Sequence, residues 1–234
     1  MKLITNETYI ERRAKIGRVA SLASLIVLAG ALILSFIRTP TTFTLPLVLV
    51  GVMAVGVALS FVGGYYAERF GGARAHHLGV QDALKGLDDR FTLFEYVLPA
   101  PHVLLGPDGL KVILVRSQGG EVTYQDGRWS HKQRGRFFRE MAGQERLGRP
   151  ERDLEKQIEA MEQYLADRVS GEEVPVEGVV LFTNPEVQLE AEGAPVPTFY
   201  TKKVKSWLRG PGMGKQLPDQ VRSRVEEALT PDAG

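Results

Sequence analysis

Cysteine is missing from all 234 residues. That removes disulfides, thiolate nucleophiles and cysteine-based zinc or iron–sulfur sites, and it agrees with a reducing compartment. An excess of one charge is missing too. Lys and Arg number 29 against 28 Asp and Glu, so the overall balance names no partner. There is no phosphate-binding glycine loop: "GPGMGK", residues 210–215, lacks the P-loop spacing, its Ser or Thr, and a preceding strand. No elbow motif offers a start for serine–histidine catalysis. Periodic repeats and low-complexity tracts are also lacking.

Charge is absent locally from two stretches. No charged residue occurs among the 19 residues from Val19 to Ile37 or the 24 from Phe43 to Tyr66. As helices these rise about 28 and 36 Å, against a hydrocarbon core of roughly 30 Å. Both are expected to span a membrane. Pro46 lies in the first turn of the second run, where a missing N–H does little harm. A buried helical hairpin in a soluble core is the competing reading. A cleavable signal peptide fits poorly, because a second span follows at once and "SFIRTP" offers no small-x-small site.

The flanks set the orientation. Lys2, Arg12, Arg13, Lys15 and Arg18 precede the first run, Arg69, Arg74 and Lys85 follow the second, and the connection "RTPTT" carries only Arg38. The positive-inside rule then places both termini in the cytoplasm of an integral protein of the plasma (inner) membrane. Gly56, Ser60 and Gly64 repeat every four positions on the second span. They could let the two helices pack closely or could face a second copy.

The expected division is a basic cytoplasmic N-terminus (1–18), two transmembrane helices (19–66), a juxtamembrane linker (67–78), a cytoplasmic domain (79–210) and a C-terminal amphipathic helix and tail (211–234). Within the domain, "VQDALKGLDD" has the apolar stripe of a short helix. "RFTLFEYVLP" alternates and reads as a strand ending at Pro99. "HVLLGPDGLKVILVR" reads as two strands around a glycine turn, and "EVTYQDGRWSH" as strand with Asp126-Gly127 as its turn. Residues 132–149 suit an ordered loop or short helix. Pro150 opens a helix to about Val169, with Leu154, Ile158, Met161, Tyr164 and Leu165 on one face. "VEGVVLFTNP" is a continuous apolar strand of the kind buried on both faces. "APVPTFYT" follows as a short strand, "KKVKSWLRG" as a helix ending at Gly210, and "DQVRSRVEEAL" as a last amphipathic helix. This order suits a mixed α/β sandwich.

These segments together, from about Leu78 to Arg209, resemble the NERD (nuclease-related) domain of the PD-(D/E)xK nuclease-like group. The glycine-turn hairpin and "VVLFTNP" carry the resemblance best. It implies an α/β fold, a nuclease-like mixed β-sheet flanked by helices, here behind the N-terminal two-helix transmembrane hairpin. It also implies a Mg²⁺-dependent centre, and here the chain departs from the family pattern. Pro101 stands where an Asp precedes the His-Val of the first hairpin strand. Leu114 and Arg116 stand where a Glu and a Lys follow the hairpin. A first-helix Glu falls near His77, and Asp153 replaces a residue that is usually Gln. Such hydrolysis needs two carboxylates on the metal and a lysine at the water. Leucine and proline bind no hard cation, and arginine is too strong a base to release its proton. No catalytic residue, metal or cofactor is therefore expected.

Other candidates carry less. Asp108 sits in a turn, as aspartates commonly do. His76 and His77 are neighbours and so diverge on a helix; with His102 and His131 they read as scattered histidines. Arg134, Arg136 and Arg139 mark one basic stretch, and Lys202, Lys203 and Lys205 another. With Phe137, Phe138 and Trp207 nearby, these could meet nucleic acid or anionic membrane lipid, or form an ordinary solvated face. The leading expectation is a membrane-anchored, non-catalytic domain for binding or scaffolding at the inner face, with a protein partner open. One alternative is a tethered Mg²⁺-dependent nuclease whose acids moved to Asp108, Glu121 or Asp126. Another is a lipid- or partner-dependent assembly factor built around the hairpin.

Overall fold

The computed structural model describes residues 1–37, 44–73, 75–135, 139–140, 143–169 and 171–231. The chain forms two compact units. One comprises Met1–Tyr9, His76–Arg134 and Leu147–Gly234, the other Ile10–Ala75 and Gly135–Arg146.

The first unit is built on a mixed six-stranded sheet. In chain order its strands are β1 (Lys2–Thr5), β2 (Thr92–Glu95), β3 (His102–Gly106), β4 (Gly109–Arg116), β7 (Val176–Phe182) and β9 (Thr198–Tyr200), lying side by side in that sequence. A smaller sheet orders β6 (Arg128–Lys132), β5 (Gly120–Gln125) and β8 (Val187–Glu190). The central pair is β4 with β7, parallel from Leu110↔Val176 to Arg116↔Phe182. All eight residues of β4 are buried, as expected for a strand covered on both faces.

Two apolar layers cover the sheet. Leu110, Val112 and Leu114 of β4 and Val180 and Phe182 of β7 pack with Leu154, Met161 and Leu165 of α4 (Pro150–Arg168). Val221, Val225 and Leu229 of α6 (Asp219–Leu229) join that layer. Ile113, Val115, Val179 and Leu181 point the other way, toward Val80, Ala83 and Leu84 of α3 (His76–Leu84) and Val204 and Leu208 of α5 (Thr201–Leu208). The period of two along each strand fixes which face a residue serves.

The structure differs locally from the sequence expectations. The N-terminal segment supplies β1, paired parallel to β2 from Lys2↔Thr92 to Thr5↔Glu95. β2 stops at Glu95 rather than at Pro99, because Tyr96 turns left-handed (φ 56°) and its N–H donates to Pro101 O at 2.8 Å. β8 had no counterpart in the sequence reading. The Asp126-Gly127 turn joins β5 to β6 as expected, with φ of 51° and 72°, the signs a type I′ turn requires. Residues 67–78 are helical at both ends, since the preceding helix runs to Phe70 and α3 starts at His76.

The second unit is a hairpin of α1 (Glu7–Ile37) and α2 (Thr44–Phe70). Each is long and apolar enough to cross a membrane by length and composition. They run antiparallel. Gly17 lies against Tyr66, Gly63 against Ser21 and Gly56 against Leu28, where an added Cβ at Gly56 would come within 2.6 Å of Leu28 Cδ2. Ser24 Oγ donates to Gly56 O at 2.8 Å. Of the small residues singled out in the sequence, Gly56 thus serves contact between the two helices. Gly64 meets the backbone of Gly143 instead, and Ser60 is half-buried. Large apolar residues face outward, among them Leu25, Ile26, Phe36 and Leu47. The "RTPTT" connection lies outside the described residues.

One position tests the packing of α4 on the sheet. A Cβ at Gly178 of β7 would meet Leu154 Cγ at 2.7 Å and Ile158 Cδ1 at 2.8 Å. Gly178→Val should therefore destabilise the unit by about 1–3 kcal/mol through overpacking. Denaturant unfolding of the full chain in detergent, followed by circular dichroism, checks this; an unchanged midpoint would contradict it.

Candidate functional site

The positions that the nuclease resemblance marks lie on or beside β4. Leu114 is 5% exposed and belongs to the α4-facing apolar layer. Two residues on, Arg116 points to the same face and pairs through Nη2 with Asp153 Oδ2 of α4. The Arg116 side chain is buried while Asp153 is half-exposed. Pro101 precedes β3 and closes the β2–β3 loop through its carbonyl. Leu114, Arg116 and Asp153 therefore lie on the α4 side of β4.

This group does not fit a divalent metal. Leu114 and Pro101 supply no side-chain oxygen, and Asp153 already faces a guanidinium, whose charge repels a second cation. Among the described residues, no group of three or more His, Asp or Glu is arranged to hold a metal ion.

His77 stands on the opposite face of the sheet, with groups that sequence reasoning missed. Glu95 at the end of β2 is completely buried. Its Oε2 accepts from Gln81 Nε2 at 2.6 Å and Thr5 Oγ1 at 3.3 Å, and Oε1 lies 3.6 Å from His102 Nδ1. That Oε1 and His102 Nδ1 have no hydrogen-bond partner among the described residues. The Tyr96 ring packs edge-on against His102 (centroids 5.0 Å apart) and His77 (6.4 Å) and stacks on Tyr9 (5.7 Å). A left-handed non-glycine residue beside a buried acid is costly and persists only where its surroundings hold it. The sequence signal for the cluster was Glu95 itself, an acid in register with Leu93 on an apolar strand face.

Burial pushes His77 below the ordinary imidazole value. The Glu95 carboxylate works against that shift, and His102 adds to it.

A second buried charge lies at the other end of β4. Lys111 donates to Asp108 Oδ2 at 2.8 Å and Glu177 Oε2 at 2.7 Å, and Gly214 N–H donates to the same Asp108 oxygen at 2.7 Å. Asp108 therefore ties the β3–β4 turn to β4 and the C-terminal segment, and Lys111 carries the link on to Glu177 of β7.

The basic residues divide. Arg134 falls in the first unit, Arg139 in the second, and both are exposed; Arg136 lies outside the described residues. On α5, Lys202 is exposed, Lys203 Nζ sits 5.6 Å from the Tyr200 ring centre, and Lys205 Nζ donates to Lys85 O at 2.8 Å. His131 meets Gly119 O at 2.9 Å.

The first unit is thus a mixed α/β layered domain with a central buried strand pair and a helix opposite the marked positions. Residues 74–183, from α3 through β7, match the family described as NERD: Nuclease-related domain. The chain carries this nuclease-related domain together with two long apolar helices. No curated protein and no solved structure matches the chain significantly.

Two outcomes follow from this geometry. A His77 held neutral by burial stabilises the fold fully above about pH 6.5, the unfolded value. That contribution is lost as pH falls through the lower folded value. His77→Gln should therefore flatten the fall in unfolding temperature on acidification below pH 6.5, relative to the unmodified chain. Identical pH profiles would contradict this. Separately, Arg116→Met and Asp153→Asn should couple in a double-mutant cycle by about 1 kcal/mol, moderated by the solvent around Asp153. Additive effects would show that the ion pair contributes nothing.

Proposed function

We propose that the chain is a membrane-anchored protein whose nuclease-related domain does not cleave nucleic acid and serves binding or scaffolding at the inner, cytoplasmic face of the membrane. The observation that carries this reading is the substitution of the metal-binding position by Leu114, inside the α4-facing core, with Arg116 beside it bound to Asp153. Anchoring is supported by the two long helices with outward apolar side chains and by the charge asymmetry of their flanks. An assembly factor built around the hairpin and dependent on lipid or a partner is a variant of the same reading.

The relocated-site nuclease has one observation in its favour. Glu121, Asp126 and Lys132 line one cleft on the small sheet, about 560 Å³ in volume. Their spacing weighs against it. Glu121 and Asp126 are five residues apart along an extended strand and its turn, roughly 16 Å, too far to share a metal. Glu121 already pairs with Lys132 at 3.3 Å, and Asp108 is committed to Lys111.

Purified full-length protein should leave single- and double-stranded DNA intact with Mg²⁺ or Mn²⁺. A combined Pro101→Asp, Leu114→Glu and Arg116→Lys variant that still folds is the candidate for restored cleavage. Metal-dependent cleavage by the unmodified chain, abolished by Asp108→Asn or Glu121→Gln, would overturn the proposal in favour of the relocated site. For the anchor, a reporter fused after Gly234 should be active only in the cytoplasm, and one inserted at 38–42 only outside. The reverse pattern would refute this orientation.

A further inference from the structure

Two hollows on the first unit adjoin at Val196. One, about 500 Å³, runs along α4 over Leu154 and Ile158 beneath Glu151, Glu155, Glu159 and Glu162. The other, about 910 Å³, opens between the small sheet and the β9–α5 corner, walled by Tyr124, Phe199, Tyr200 and Trp207. Glu190 and Glu192 add two more carboxylates there, and Lys203 is the one cation among the described lining residues of both hollows. Glu151 accepts Trp129 Nε1–H at 2.8 Å. The other five glutamates have no ion-pair partner among the described residues.

Glu155, Glu159 and Glu162 follow one another at i, i+4 and i+3 spacing, where like charges repel. Arg152 and Lys156 stand three residues ahead of Glu155 and Glu159 on the helix but line neither hollow, so the hollows themselves keep an excess of negative charge that a cationic occupant would offset. The aromatic walls suit it as well, since ammonium and guanidinium groups bind ring faces; Lys203 over Tyr200 already makes that contact within the cleft. β8 ends the small sheet and β9 ends the large one, and both border the second hollow. An extended backbone could pair with such edges. Phosphates would meet six carboxylates and one ammonium, which disfavours nucleic acid here despite the neighbouring lysines of α5.

We infer that this continuous groove binds an extended, cationic polypeptide segment carrying interspersed apolar or aromatic side chains. The inference rests on the binding reading above and names the chemistry of its partner. It is independent of whether the domain cleaves DNA.

The test uses the full chain in nanodiscs of zwitterionic lipid and a fluorescent peptide alternating lysine with leucine, read by anisotropy. Empty nanodiscs and the same peptide with glutamate for lysine serve as controls. Binding should saturate, weaken as salt screens the charges, and fall about tenfold or more when Glu155, Glu159 and Glu162 are replaced by glutamine. These three side chains are exposed, so the variant keeps its fold. Trp207 fluorescence should change on binding in a Trp129→Phe background. Absence of saturable binding, or affinity indifferent to the three substitutions, would overturn the inference. Metal-dependent DNA cleavage would overturn only the non-catalytic proposal and leave this groove untouched.

Discussion

A strand buried along its whole length tolerates charge only where an opposite charge is built in beside it, because an unpaired buried ion costs several kcal/mol. β4 is such a strand. It carries two charges, and each is answered from a different element: Lys111 by Asp108 and Glu177, Arg116 by Asp153. The pairs fix the strand lengthwise, against the β3–β4 turn at one end and α4 at the other. Between them the side chains are aliphatic, and the sheet closes through register with β7.

The same arrangement occupies the positions that the nuclease resemblance marks. A metal-binding strand must present a carboxylate at a layer boundary where water and a cation can reach it. Here Leu114 extends the apolar layer through that place. The guanidinium of Arg116 then needs an acid of its own, and Asp153 supplies it from the helix. An aliphatic side chain and an ion pair at these positions are what the proposed binding or scaffolding role rests on.

Much of this was legible in the sequence because its signals are local. β4 and β7 are continuous apolar runs, α4 starts at a proline, and the β5–β6 turn is an Asp-Gly pair. Leu114 and Arg116 could be placed by counting from the hairpin glycine. What escaped depends on distant pairing. β1 is four residues long and its partner lies 90 positions away. β8 is equally short. The early end of β2 reverses the strand preference of Tyr-Val-Leu, because Tyr96 must turn left-handed to reach Pro101. Glu95, Gln81, His77 and His102 meet only once strand register and the seat of α3 are set. The glutamate groove likewise needs α4, the small sheet and α5 together.

Whether the α4 face of β4 can hold a metal ion decides between a binding domain and an enzyme. Electron paramagnetic resonance of Mn²⁺ titrated into the full-length chain in detergent reads this without reference to any substrate. For the proposed non-catalytic domain only the signal of free Mn²⁺ is expected, with no stoichiometric binding. One tightly bound Mn²⁺ per chain, released on substitution of Asp153 by asparagine, would contradict it.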